Sequence, residues 1–429
     1  MDFFLQLTIN GILLGGFYAM MTVGFSTIWG VMNLINLAHG EFLLMGAYVA
    51  WFFFNPSREQ SIYLGGKLEQ VENTIQFVMV ITALLSGVLL SERVIGRQRI
   101  ARRGWRIMIG LLIAAVIHLA IYTAWRDAEQ FRVVEISMLM MIPLALALSI
   151  GFLLSHVGLS DYVPDIWMRR ALGYGIGAVV VFIGWKLWEN GGFQSIDPFL
   201  TLPLIFVIFF ALGYALQNSL FNRLIEGPFL TMLLVTFSVS IILQNIGLQI
   251  YAADPRKINI DYGVAYALGE TGLTVPPVKL LASFVSIFMI GGVVLFLRRT
   301  RTGYAIRAAA QHKMAARLMG IDINETYAIT FGLALAVTAM AGAMMGTFQP
   351  ITPVTGAPFT LRAFAIVALG GLGRVQGVIV GGMVLGLAES YIGGYIGLGW
   401  AIAAAFILLV VMLVVNPRGI TGGLAPQES

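Results

Sequence analysis

A polar segment at residues 33–41 separates the first two long apolar stretches of the chain. It contains four polar residues at positions where a membrane span should already be hydrophobic: Asn33, Asn36, His39 and Glu41. Placing such groups in hydrocarbon is costly unless they are paired or hydrated. The segment therefore predicts an interrupted start of the second helix, with its polar groups near a route for a polar solute.

The same segment has a purely structural interpretation. Asn36 could cap the second helix, while His39 and Glu41 satisfy the backbone donors of its first turn. A metal site is not predicted, because the spacing typical of metal ligands is absent. The other histidines lie in unrelated segments: His118, His156 and His312.

A second segment, residues 301–321, is rich in alanine and basic residues and ends in glycine. This composition predicts a short helix lying on the cytoplasmic face of a membrane. Small residues allow another surface to approach closely, and basic side chains can meet acidic groups of a partner or of lipid headgroups. The residues predicted to couple to a partner are Gly303, Arg307, Ala308, Ala309, Lys313, Ala316 and Gly320. A basic tether without any partner is the alternative.

A third segment, at about 360–392, is apolar and rich in glycine. Its length fits one tilted span or two shorter helices that fold back on each other. The Gly-Gly-Leu-Gly-Arg run at 370–374 favours the hairpin, because irregular backbone at membrane depth needs cover from protein or a watery cavity. Close helix packing alone is the alternative. Five more candidates for the solute path are Gly370, Gly371 and Gly373 here, with Gln244 and Asn245 in an earlier span.

Several chemistries are excluded by missing residues. The chain contains no cysteine, which excludes disulfides, thiolate metal sites and a cysteine nucleophile. It also lacks the phosphate-binding pattern Gly-x-x-x-x-Gly-Lys-Ser/Thr, since Gly66-Lys67 is followed by Leu68. No nucleophile–base pair supports an enzyme. We therefore expect no cofactor on this chain and no ATP hydrolysis through that motif.

The composition of the chain predicts the membrane-spanning helices that position these segments. Of the 429 residues, 59% are hydrophobic and 11% charged, whereas a soluble domain has about a quarter charged residues. Apolar blocks of roughly 18–25 residues are long enough to cross about 30 Å of hydrocarbon as helices. The sequence thus predicts an all-α, polytopic helical membrane protein with about 11 transmembrane spans plus a re-entrant glycine-rich hairpin. The formal charge of +5 reflects basic loops and does not indicate nucleic acid.

Basic loops predict the orientation of the chain. The segments 93–106 and 298–317 are both rich in arginine and are expected in the cytoplasm. An even number of predicted crossings separates them, so the two assignments agree. The N-terminus is then outside. If 360–392 is a hairpin that returns to the outer side, the last span brings the C-terminus to the cytoplasm, whereas a single crossing would leave the C-terminus outside.

In order along the chain, these segments resemble the branched-chain amino acid permeases of bacterial ABC importers, specifically the LivH-like subunit. The resemblance covers about residues 1–54 and 200–420. It rests on five pieces: Asn-Gly-Ile-Leu-Leu-Gly-Gly-Phe-Tyr-Ala at 10–19, residues 33–48 with Asn-x-Ala-His-Gly-Glu, Leu-Gln-Asn at 243–245, the loop 301–321, and residues 369–389.

The resemblance implies a multi-pass protein of the bacterial inner membrane, surrounded by lipid. It implies a second homologous permease subunit, two ABC ATPase subunits that bind the ATP, and a periplasmic substrate-binding protein. The segment 301–321 would be the coupling element received by an ATPase. The solutes expected are branched-chain amino acids or related small polar molecules (amides, urea, aromatic acids), moved by ATP-driven alternating access.

One departure from the family is a predicted insertion at 57–198, with about four extra spans, between core parts at 1–56 and 199–429. Four crossings leave the orientation of the downstream core unchanged. An ion-coupled secondary transporter is the main alternative function and would need buried carboxylates. Its candidates are Glu41 and Glu389, which lie near predicted breaks rather than at span centres.

Overall fold

The structure is a computed structural model that describes residues 2–54 and 198–422. Within the second range, short stretches at 226, 252, 259, 261, 263–265, 268–272 and 417–418 are not described. The predicted insertion 57–198, with its basic loop at 93–106, therefore lies outside the described residues except for its last position.

The described residues form eleven α-helices, one two-stranded ladder and three short 3-10 turns. The helices are α1 (Asp2–Met32), α2 (His39–Phe54), α3 (Leu202–Ser219), α4 (Phe229–Tyr251), α5 (Pro277–Arg299), α6 (Arg301–Gln311), α7 (Lys313–Leu318), α8 (Ile323–Phe348), α9 (Gly356–Gly370), α10 (Val375–Tyr395) and α11 (Leu398–Val415). The strands β1 (Tyr266–Ala267) and β2 (Thr274–Val275) pair antiparallel, and the 3-10 turns are Pro198–Thr201, Phe221–Arg223 and Pro353–Thr355.

Seven segments of the described part are long and apolar enough to cross a membrane. They contain α1, α3, α4, α5, α8, α9 and α10, while α11 is a shorter apolar helix. The chain is thus a polytopic helical membrane protein, as the sequence predicts. The four extra spans predicted in the insertion fall outside the described residues.

Helix α8 forms the centre of the fold and is buried along nearly its whole length. It contacts α1, α2 and α3 at once. Such close approach requires small residues, because a membrane interior offers no hydrophobic force between helices and packing must hold them. Gly342 of α8 lies against the carbonyl oxygen of Leu43, and Gly46 of α2 lies against Ala339.

The glycine-rich stretch consists of two helices, α9 and α10, as the hairpin interpretation predicts. The backbone turns at 371–374, where Gly371 and Gly373 have φ values of 107° and 78° that favour glycine. The carbonyl groups left free at the end of α9 are satisfied by the C-terminal segment. Ile420 N donates to Leu369 O at 2.8 Å, and Thr421 Oγ1 donates to Gly370 O.

The segment 301–321 contains two short helices, α6 and α7, where the sequence predicts one. The single-helix prediction is wrong because His312 leaves the helical conformation and caps the next helix. Its Nδ1 accepts from Ala315 N at 3.1 Å. The start of α6 is capped in the same way by Thr300, whose hydroxyl accepts from Gly303 N at 2.9 Å.

We predict that Gly342→Ala destabilises the folded protein by about 1–3 kcal/mol, since the added methyl group overlaps the backbone of α2. The measurement is the thermal unfolding midpoint of the purified protein in detergent. Gly291→Ala on α5 is the matched control, because no atom lies within 4 Å of that site. Equal unfolding midpoints for the two variants would contradict the packing described here.

Candidate functional site

Helix α2 begins deep inside the span of α1 rather than at its end. Asn33, with φ of 51°, ends α1, and its N–H donates to Trp29 O at 2.9 Å. The chain then runs back along α1, so that His39 Nε2 lies 3.0 Å from Met21 O. Met21 is eleven residues before the end of α1, or about 16 Å along the axis. The predicted interrupted start of the second helix is therefore present in the structure.

Helix α9 begins at the same place as α2. Gly40 N donates to Thr360 Oγ1 at 2.8 Å, and that hydroxyl donates to Leu37 O at 3.3 Å. A Cβ at Gly356, the first residue of α9, would lie 2.9 Å from Glu41 Oε1. Two helix N-termini, each with a partial positive charge, thus meet inside the helix bundle. We call this place the α2–α9 junction (residues 36–41, 356 and 360).

Several buried polar atoms at the α2–α9 junction lack partners among the described residues. Glu41 is 3% exposed, and neither carboxylate oxygen makes a hydrogen bond of normal geometry, although the Ser240 hydroxyl faces it. Asn36 Oδ1 accepts from Ala38 N at 3.1 Å, while its Nδ2 has no partner. Unpaired buried polar atoms are rare in folded proteins and indicate a functional site or bound water.

The capping interpretation accounts for only part of this arrangement. Asn36 does turn the chain into α2 through its bond to Ala38 N. His39, however, reaches across to the Met21 carbonyl of α1 and packs edge-on against Phe25, with ring centroids 5.4 Å apart. The histidine therefore fixes the depth at which α2 begins.

Helix α4 covers the junction from one side. Thr236 Oγ1 donates to Ile35 O at 3.2 Å, and Ser240 lies one turn further along the same face. Gln244 follows after another turn on this face and is half-buried. Asn245 is exposed, and its Nδ2 donates to Ile241 O of its own helix at 2.8 Å. Of the two predicted path residues in α4, only Gln244 shares the face of the junction.

The three predicted path glycines lie at the other end of α9. Gly370 is fourteen residues after Gly356, about 21 Å along the helix axis. It packs against the backbone of Gly377, and Gly373 packs against Gly30 near the end of α1. The structure does not bring these glycines together with His39 and Glu41, and their place in a path stays a prediction.

A buried ionic network that was not predicted from the sequence joins α1, α9 and α10. Arg362 Nε donates to Glu389 Oε1 at 2.8 Å, and Tyr18 OH donates to Glu389 Oε2 at 2.5 Å. The two charged side chains are only 12% and 5% exposed. A basic residue inside the apolar run 356–370 was the available signal, since ionisable residues within spans are rare.

The predicted coupling residues divide into an inner and an outer group. Gly303, Ala309 and Ala316 are buried against the chain itself, and Gly303 lies on the carbonyl oxygens of α5. Arg307 and Gly320 are exposed, while Ala308 and Lys313 are half-buried. Four exposed apolar side chains, which were not predicted from the sequence, lie beside them. We call these residues the α6–α7 patch: Tyr304, Met314, Leu318 and Met319.

No group of three or more potential metal ligands occurs in the part of the chain that the structure describes. The α2–α9 junction combines helix N-termini with a carboxylate, and these groups attract opposite charges. It contains no paired nucleophile and base.

Residues 132–415 match the protein family described as the permease component of the branched-chain amino acid transport system. The high-affinity branched-chain amino acid permease LivH of Escherichia coli strain K12 is 24% identical over 427 residues, covering 98% of this chain and 96% of that protein. BraD of Pseudomonas aeruginosa is 29% identical over 256 residues, covering 58% of this chain and 83% of BraD, so this chain is the longer one.

A probable LivH permease of Methanocaldococcus jannaschii is 29% identical over 248 residues, covering 53% of this chain and 76% of that protein. No solved structure matches the chain.

We predict that Glu389→Gln destabilises the protein by about 3–5 kcal/mol, because it leaves the charge of Arg362 buried without a counter-ion. The double variant Arg362→Met/Glu389→Gln is the control, since it removes both charges and keeps an acceptor for Tyr18. We expect it to recover most of the lost stability in thermal unfolding. A double variant as unstable as the single one would contradict a structural ion pair.

Proposed function

The chain belongs to the branched-chain amino acid permease family of ABC importers, and from this premise we propose that it carries branched-chain amino acids or related small solutes by ATP-driven alternating access. Amides, urea and aromatic acids are included among the related solutes. The chain is a non-catalytic transport subunit and a multi-pass protein of the inner membrane.

The α2–α9 junction is the single observation that best supports this proposal. Transporters commonly bind solutes where interrupted helices leave free N-termini near the middle of the membrane. Here two N-termini can attract a carboxylate, and the unpaired carboxylate of Glu41 can attract an ammonium group. An amino acid zwitterion offers both groups within a few ångströms.

The outer face of α4 supports a path beside a second permease subunit. Ser238, Asn245 and Gln249 are exposed and lie along one stripe of this helix at spacings of seven and four residues. Exposed polar side chains on a membrane span are unfavourable in lipid. We infer that this stripe faces water or a partner, with α4 between that path and the junction.

The α6–α7 patch supports docking of an ATPase. Exposed apolar side chains on a cytoplasmic loop would be covered in an assembly. The inner side of α6 connects the patch to the membrane helices, because Ile306 packs with Ala328 and Ile329 of α8 and with Val31 of α1. A displacement of α6 would thus be transmitted to the end of α1, where the break before α2 begins.

The proposed assembly contains this chain, a second homologous permease, two ABC ATPases and a periplasmic substrate-binding protein. One observation favours an ion-coupled transporter instead, namely the unpaired carboxylate of Glu41. The other candidate carboxylate, Glu389, is already paired with Arg362.

Affinity purification of this chain from native membranes, followed by mass spectrometry, tests the proposed assembly. We expect two ATPases with phosphate-binding loops and a second permease to be recovered with it. Purification of the chain alone under mild detergent conditions would count against the proposal.

We predict that Leu318→Glu in the α6–α7 patch lowers solute uptake at least about tenfold and releases the ATPases, because a charge is placed in an apolar docking surface. Leu318→Met is the control and keeps the surface apolar. Leu318 is 81% exposed, so neither change disturbs the fold of the chain itself. Normal uptake by Leu318→Glu would refute docking at this patch.

We predict that a single cysteine at Asn245 reacts at least about tenfold faster with a charged methanethiosulfonate than one at Phe288, since thiolates form only in contact with water. The chain has no cysteine of its own, so each variant carries one thiol. Phe288 is the control because it is 80% exposed on a face of α5 whose exposed side chains are apolar. Equal reaction rates would show that the α4 stripe faces lipid.

A further inference from the structure

An aromatic cluster with one arginine closes the outer ends of α2 and α4. The rings of Tyr48 and Tyr251 stack with centroids 4.1 Å apart, and Trp51 meets Tyr251 edge-on at 6.1 Å. The guanidinium carbon of Arg256 lies 4.4 Å from the centroid of Trp51 and 5.0 Å from that of Tyr251. These distances are typical of cation–π interactions.

The backbone holds Arg256 firmly in this position. Arg256 N donates to Ile351 O at 2.9 Å, and Ile351 N donates to Arg256 O at 2.8 Å. Two residues later, Ile258 N donates to Gly346 O of α8 at 2.8 Å. The loop after α4 is thereby attached to the end of the central helix, which fixes the position of the Arg256 backbone.

Two hydrogen-bond donors in the cluster are buried without an acceptor in the described part of the chain. They are Arg256 Nε and the hydroxyl of Tyr48, a residue that is 3% exposed. Arg256 Nη2 makes only a long contact of 3.5 Å with Tyr251 O. Neither Asp254, which is exposed in the same loop, nor any other described carboxylate forms an ion pair with Arg256. Hydrogen-bond donors that are removed from water without an acceptor are costly.

We propose that Arg256 and Tyr48 bind the carboxylate of the incoming solute at the outer end of its path. This inference rests on the proposed function and specifies an initial binding site for the solute. Arg256 offers donors only and the Tyr48 hydroxyl can donate as well, and a planar guanidinium recognises a carboxylate through two parallel hydrogen bonds. The face of Trp51 beside them suits an aliphatic side chain.

The geometry assigns this site to a small solute rather than to a side chain of a partner protein. The loop around Arg256 is exposed, but its Nε and the Tyr48 hydroxyl lie beneath the surface. Tyr48 is two helical turns after Glu41 on the same face of α2, about 10 Å away. One zwitterion cannot span that distance, so the outer site and the α2–α9 junction are occupied in succession.

The test uses 4-methylpentanoate, which has the carboxylate but not the ammonium group of leucine, and 3-methylbutan-1-amine, which has the reverse. Thermal unfolding of the complete detergent-solubilised transporter is followed at constant ionic strength. We expect the carboxylate to raise the unfolding midpoint and the amine to have no effect through this site. In Arg256→Gln the carboxylate should bind about tenfold more weakly, the loss of a charged hydrogen bond.

Lys257→Gln is the matched control, since it removes a neighbouring charge that is exposed. We expect it to keep the full shift. Tyr48→Phe keeps the ring stack, loses only the hydroxyl, and should also weaken the shift. This second variant keeps the test decisive if Arg256→Gln fails to fold.

Three results would overturn the inference: no shift with the wild-type chain, an equal shift with sodium chloride, or equal shifts in wild type and Arg256→Gln. Equal losses in Arg256→Gln and Lys257→Gln would overturn it too, since they indicate a general charge effect. ATP-driven leucine uptake by the wild-type transporter reports on the proposed function separately.

Discussion

The absence of water in the hydrocarbon is the constraint on which the structure depends. Where a helix is interrupted inside a membrane, its free backbone groups need partners from the protein, and each uncovered group costs several kcal/mol. The break between α1 and α2 meets this need through Thr360 of α9 and Thr236 of α4, which contact the carbonyl oxygens of Leu37 and Ile35. The positions of α4 and α9 therefore follow from the break that they cover.

The same constraint separates the polar groups that hold the fold from those available to a solute. The ion pair of Arg362 and Glu389 connects α9 to α10, and the hydrogen bond from Tyr18 to Glu389 connects α1 to both. Glu41 lies at the α2–α9 junction without a hydrogen bond of normal geometry. A paired carboxylate holds the helices together. An unpaired buried carboxylate carries a desolvation cost, which a ligand of opposite charge can offset. This difference separates the two carboxylates that the sequence alone treats as equivalent.

Much of the fold could be predicted because apolar length and glycine position are local properties. The spans, the hairpin at 360–392 and the interrupted start of α2 follow from them. Other features depend on helix phase or long-range contact. Gln244 and Asn245 are neighbours in sequence, but a rotation of about 100° places one beside the junction and the other on the outer face.

The candidate site was only partly accessible from the sequence for the same reason. His39 and Glu41 are conspicuous because they are polar within an apolar stretch, but the contact of Glu41 with Gly356 joins residues more than 300 positions apart. Gly303 was predicted to face a partner, and that role stays a prediction. The structure shows that its missing side chain is first needed for packing of α6 on α5.

Uptake into sealed vesicles that contain the purified transporter and its binding protein distinguishes ATP-driven from ion-driven transport. Radiolabelled leucine is supplied outside, with ATP enclosed or absent and with proton and sodium gradients abolished or imposed. We expect uptake that needs enclosed ATP and proceeds without any ion gradient. Uptake driven by a gradient in the absence of ATP would refute ATP-driven transport and would assign Glu41 to ion coupling.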